Sequence, residues 1–85
     1  MRPIFVFVKC DLKRTYQVAQ NIVDSIDETA EIFSVSGEWD LLCRFNLSSE
    51  QDIGRFVTET LQAIPGIRDT STMVAFRLFT PADPL

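Results

Sequence analysis

The stretch AEIFSVSGEWDLLCRFNL, residues 30–47, decides the architecture. Two runs of β-branched, aromatic and other apolar residues, Ala30–Ser36 and Asp40–Leu47, are separated only by Gly37, Glu38 and Trp39, a spacing that predicts a β-hairpin. Its tip is unusual. The chain's one tryptophan stands between Glu38 and Asp40, where tight turns usually carry small polar residues.

Upstream, PIFVFVKC (Pro3–Cys10) is apolar at nearly every position and reads as a strand covered on both faces. Between Leu12 and Ile26, Val18, Ala19, Ile22, Val23 and Ile26 recur at three- and four-residue spacing, which predicts an amphipathic helix with Asp11 as its N-cap. Downstream, Ser48 with Gln51 fits a capping box. Ile53, Phe56, Val57, Thr60, Leu61 and Ile64 then form one buried stripe, ended by Pro65-Gly66. Gly54 within that helix is expected to mark a close approach by another group. A last strand is expected over Thr70–Phe79, followed by a fraying TPADPL tail.

The order strand, helix, strand, strand, helix, strand, with right-handed crossovers, gives an α+β ferredoxin-like βαββαβ sandwich. Its four-stranded antiparallel sheet carries both helices on one face, and residues 1–85 make a single domain. A domain this short buries only about 60–65% of the surface of its unfolded chain, so association would help it. The first and last strands also lack polar alternation. Ile4, Val6 and Val8 oppose Phe5 and Phe7, and Met73, Ala75 and Phe79 oppose Val74, Phe76 and Leu78. The face without helices would therefore be apolar, which implies sheet-to-sheet dimerisation or a ligand cavity lined by that face.

Composition excludes several functions. The net charge is −4 and the eight basic residues are scattered, so no patch exists to neutralise nucleic-acid phosphates. No apolar run approaches the roughly 20 residues of a membrane span, and no signal-peptide pattern follows the N-terminus, so a cytoplasmic protein is expected. With no histidine and only Cys10 and Cys43, neither a metal site, a cofactor nor a histidine-assisted nucleophile is expected. Both thiols read as small core hydrophobes.

The hairpin VSGEWDLL resembles the Gly-x-aromatic-Asp turn of the Lrp/AsnC effector-binding (RAM) domain. IPGIRDTSTMV resembles that family's Pro-Gly-Val/Ile followed by a Thr-x-Thr pair entering the last strand. The likeness runs through essentially the whole chain, except that Arg14 stands where relatives often carry glycine, which implies a changed loop there. The first strand starts close to Met1, so the chain resembles a stand-alone form lacking the helix-turn-helix DNA-binding domain. The resemblance implies dimers of the α+β barrel type, assembling further into a ring of four dimers, an octamer. It also implies small effectors such as amino acids bound between neighbouring dimers, with full-length Lrp/AsnC relatives as possible co-assembly partners. The implied site residues are Gly37, Glu38, Trp39, Asp40, Thr70 and Thr72.

The chemistry fits such a ligand. Asp40 offers an anion for an ammonium, Thr70 and Thr72 offer donors for a carboxylate, Gly37 permits close backbone approach, and Trp39 supplies an apolar wall. Each residue also has a plain structural reading: positive φ for Gly37, a turn hydrogen bond for Asp40, strand propensity for the threonines, a core or inter-dimer anchor for Trp39. The expectation is therefore an amino-acid-sensing regulatory module and not an enzyme. The alternatives are a small ferredoxin-like dimeric enzyme or a structural assembly subunit without ligand.

Overall fold

The computed structural model describes residues 2–79 and 81. Strands β1 (Arg2–Cys10), β2 (Thr29–Ser34), β3 (Leu41–Leu47) and β4 (Ile67–Val74) form one antiparallel sheet in the order β2-β3-β1-β4. Helix α1 (Thr15–Ser25) joins β1 to β2. Helix α2 (Ile53–Arg55), running on as a π-helical segment (Phe56–Leu61), joins β3 to β4. This is the ferredoxin-like fold expected from the element order.

Register explains the core. Ile4, Val6 and Val8 of β1 lie opposite Phe45, Cys43 and Leu41 of β3, so all six share one face, and all six are buried. Val18 and Ile22 of α1, with Ile26 just beyond it, cover them on one side, and Phe56, Val57, Leu61 and Ile64 cover them on the other. Phe56 meets Phe45 edge to face, with ring centroids 5.1 Å apart, a favoured aromatic geometry.

Several local expectations are corrected. Asp11 does not cap α1: Arg14 occupies the N-cap without a side-chain bond, because the Asp11 N–H is held by the Gly66 carbonyl at 2.8 Å and the Asp11 carbonyl closes a turn onto Arg14 N–H. The helix therefore starts at Thr15, after Lys13 at φ 68°. Ser48 does not cap α2 either. Gln51 Oε1 accepts the Ser48 N–H at 2.8 Å, half of a capping box, but Asp52 is the N-cap and accepts the Arg55 N–H at 3.0 Å.

The third correction concerns winding. The Gln62 N–H reaches the Val57 carbonyl, five residues back, and this under-wound turn shifts the phase of the stripe, so Thr60 is exposed while Leu61 is buried. Gly54 lies open, its nearest neighbour for an added Cβ being the Asp52 carboxylate at 3.4 Å.

The fourth concerns the last strand, which spans Ile67–Val74 instead of Thr70–Phe79. It begins earlier because Gly66, at φ +94°, turns the chain directly into the sheet. Residues 75–79 lie outside any element and are exposed, so Met73 is β4's only large apolar side chain on the open face. Of the TPADPL tail only Pro81 lies within the described residues. The hairpin loop is also longer than expected, residues 35–40 instead of three.

The open face carries Phe5 and Phe7 of β1, Leu42 and Arg44 of β3, Phe33 and Glu31 of β2, and Met73 of β4. Its centre is apolar. Arg44 and Glu31 pair at 2.6 Å toward the β2 edge. Among the described residues no helix is long and apolar enough to cross a membrane.

Candidate functional site

The hairpin tip is fastened to β1. The Asp40 N–H donates to the Val8 carbonyl at 3.0 Å, Asp40 Oδ2 accepts the Cys10 N–H at 2.8 Å, and Lys9 Nζ donates to the Glu38 carbonyl at 2.7 Å. The Val35 N–H closes the loop onto the Asp40 carbonyl at 3.0 Å. Gly37 sits at φ +100° with nothing within 4 Å of an added Cβ. Backbone conformation alone favours glycine there, and no described protein group closes over it. Glu38 contributes its carbonyl to this network and is itself exposed.

Trp39 stacks on Phe7, ring centroids 5.9 Å apart and planes 30° off parallel, which places the indole on the open face of the sheet. Thr70 and Thr72 lie elsewhere. They oppose Val8 and Val6 in β4, on the helix side, two strand spacings or about 10 Å from β3. The Thr70 hydroxyl accepts from Gln62 Nε2 at 2.8 Å, and its N–H donates to Asp69 Oδ1 at 2.8 Å. One protomer therefore brings Gly37, Glu38, Trp39 and Asp40 together and leaves the threonines on a separate strand and face.

Clefts open elsewhere on the described surface. One, of 430 Å³, lies between α1 and the edge strand β2, lined by Ala19, Val23, Ile32 and Leu41 among others. A second, 240 Å³, is lined by Gln62, Ile67, Arg68 and Asp69 beside Thr70. The third, 300 Å³, is formed by Asp27, Glu28, Thr29 and Asn46 at the other end of the sheet. Sequence reasoning missed Lys9 and Gln62, which hold the hairpin and Thr70. The signal for Lys9 was present, since it is the charged residue that interrupts an otherwise apolar strand.

Both cysteines are free and buried. Burial pushes the Cys10 thiol up, helped by the negative charge of Asp40 and opposed by a hydrogen bond with Thr15. Burial, with a smaller contribution from Cys10, pushes Cys43 from 9.0 up to about 12. Both stay protonated near neutrality, and only the thiolate is reactive.

The Lrp/AsnC ligand-binding-domain family profile matches residues 4–85. The chain belongs to this family. Lrp/AsnC proteins are transcriptional regulators, not enzymes. An uncharacterised helix-turn-helix-type transcriptional regulator of Pyrococcus horikoshii is 42% identical over 60 residues, 71% of this chain and 39% of that protein. The chain thus matches well under half the length of this relative. A Thermus thermophilus protein of known crystal structure superposes with a TM-score of 0.83 at 26% identity, over 94% of this chain and 99% of its own. A Neisseria meningitidis transcriptional regulator, solved as its complex with L-Met, shares the fold with a TM-score of 0.78 at 20% identity, over 99% of this chain and 55% of its own.

Proposed function

We propose that this domain senses a small effector, an amino acid or a close analogue, and passes its occupancy to transcription through the way copies associate. The proposed ligand residues are Gly37, Glu38, Trp39 and Asp40 from one chain and Thr70 and Thr72 from a neighbouring one. The observation that carries the reading is the split geometry. An anion and an indole are held rigidly at one corner, while the hydroxyl donors sit about 10 Å away on another strand and face, so a complete set of partners requires a second chain. The L-Met complex of the Neisseria regulator supports an amino acid as the effector class. Assembly is through the apolar open face as a dimer and further as a ring of four dimers in the cytoplasm, with full-length Lrp/AsnC relatives as further partners.

Asp40 Oδ2 is engaged by Cys10, which leaves Oδ1 as the oxygen for a ligand ammonium. A thermal-shift screen of the twenty amino acids tests the proposal, since a ligand at 100 times its dissociation constant stabilises the fold by about 2.7 kcal/mol. Asp40→Asn keeps an acceptor for Cys10 and removes the charge. Its expected effect is at least a tenfold weaker response, with less than about 1 kcal/mol lost in folding stability by urea titration. A second reading, a structural assembly subunit without ligand, is favoured by the internal bonds already made by Asp40 and Thr70. A flat screen would select it.

A further inference from the structure

The 240 Å³ cleft lies where the end of the π-helical segment meets the start of β4, an edge strand of the sheet, and of its lining residues Gln62, Ile67, Arg68 and Asp69 only Ile67 is apolar. It is small. Pockets for drug-sized ligands run from about 300 to 1,000 Å³, so this one suits a single amino-acid side chain. The Gln62 N–H closes the π turn onto the Val57 carbonyl at 2.8 Å, and such turns are frequent at functional sites. From there Gln62 Nε2 donates to the Thr70 hydroxyl at 2.8 Å, so the hydroxyl keeps its own proton to donate. Val8 spends its backbone groups toward β3, so Thr70, opposite it, turns its N–H out to the free edge, where Asp69 Oδ1 accepts it at 2.8 Å. Gln62 Oε1, Asp69 Oδ2 and the Nη groups of Arg68 make no hydrogen bond among the described residues, and Arg68 is held only by the 3.9 Å approach of its Nε to Asp11 Oδ1.

The cleft thus presents a cationic donor beside two acceptors, one of them charged. That set discriminates. A side-chain carboxylate gains Arg68 but is repelled by Asp69, and a side-chain ammonium gains Asp69 but is repelled by Arg68. An apolar side chain takes water from all three groups and pairs none. A primary carboxamide matches, because its oxygen accepts from Arg68 while its NH2 donates to Gln62 Oε1 and Asp69 Oδ2. We infer that this cleft receives the side chain of the effector, with Thr70 holding the α-carboxylate beside it, and that the effector is an amino acid with a carboxamide side chain, glutamine or asparagine. The inference rests on the effector part of the proposed function and names what that site selects.

Calorimetric titration of the chain with L-glutamine, L-asparagine, L-glutamate, L-lysine, L-leucine and L-methionine tests it. One of the two carboxamides is expected to bind at least tenfold more tightly than each of the other four. Asp69→Asn keeps Oδ1 for the Thr70 N–H and replaces Oδ2 by a donor, so the ratio of amide to acid affinity is expected to fall at least tenfold. Arg68→Met keeps an extended side chain without the guanidinium and is expected to weaken carboxamide binding at least tenfold. Tighter binding of glutamate, lysine, leucine or methionine overturns the inference and leaves amino-acid sensing standing, and so does an amide-to-acid ratio unmoved by Asp69→Asn. No heat from any of the six, with a response to another amino acid in the thermal-shift screen, again overturns the inference alone. A screen flat across all twenty overturns both.

Discussion

Asp40 and Gly66 each hold β1 to a neighbour through backbone atoms, and both are sensitive to small changes for that reason. At Gly66 the φ of +94° is joined by a Cβ position only 2.8 Å from Val18 Cγ2, in the core. Gly66→Ala combines left-handed backbone strain with overpacking and is expected to cost about 2–4 kcal/mol in a urea titration. Cys43 sets an alkaline limit. Its thiol ionises at about 12 in the folded chain, against 9.0 for the ordinary group, so above pH 9 the unfolded chain binds fewer protons than the folded one. Stability contributed by the buried neutral thiol is complete below pH 9 and is lost at about 1.4 kcal/mol per pH unit as pH rises toward 12. Urea midpoints at pH 8 and 10.5 should show this decline, and Cys43→Ala should flatten most of it, leaving the smaller share of Cys10.

At the scale of elements, the cap of α2 separates two residues that look alike in the sequence. Asp52→Ala removes the acceptor of the Arg55 N–H and is expected to cost about 1 kcal/mol, whereas Ser48→Ala should change stability by less than about 0.5 kcal/mol. Paired urea titrations measure both. The elements themselves were legible, because β-branched and aromatic runs and the three- and four-residue apolar spacing report local backbone preference directly. The caps were not. Asp11 is diverted by Gly66, more than fifty positions away, and Asp52 competes with a Ser48–Gln51 pair of equal local promise. The π winding was hidden too, since Phe56, Val57 and Leu61 fit an ordinary helical stripe and only Thr60 betrays the change of phase. The hairpin corner was readable as a cluster. That Trp39 turns to Phe7 while Asp40 turns to Cys10 depends on the partner strand, which no local pattern encodes.

For the whole molecule, the open face predicts the association state. Phe5, Phe7, Phe33, Leu42 and Met73 lie together on it, so light scattering should give a multiple of 9.7 kDa. Leu42→Lys buries an unpaired ammonium at that contact and should raise the dissociation constant at least a hundredfold, equivalent to about 3 kcal/mol. The stack of Trp39 on Phe7 has a further bearing. In the proposed function this ring touches both the effector and the neighbouring subunit, and would then serve two binding events at once. Thermodynamic reciprocity then requires that whatever factor the metabolite adds to the grip between subunits, the subunits return to the grip on the metabolite. A cell would hear such a signal only at abundances where subunits are partly apart, so expression level becomes the gain control of the sensor.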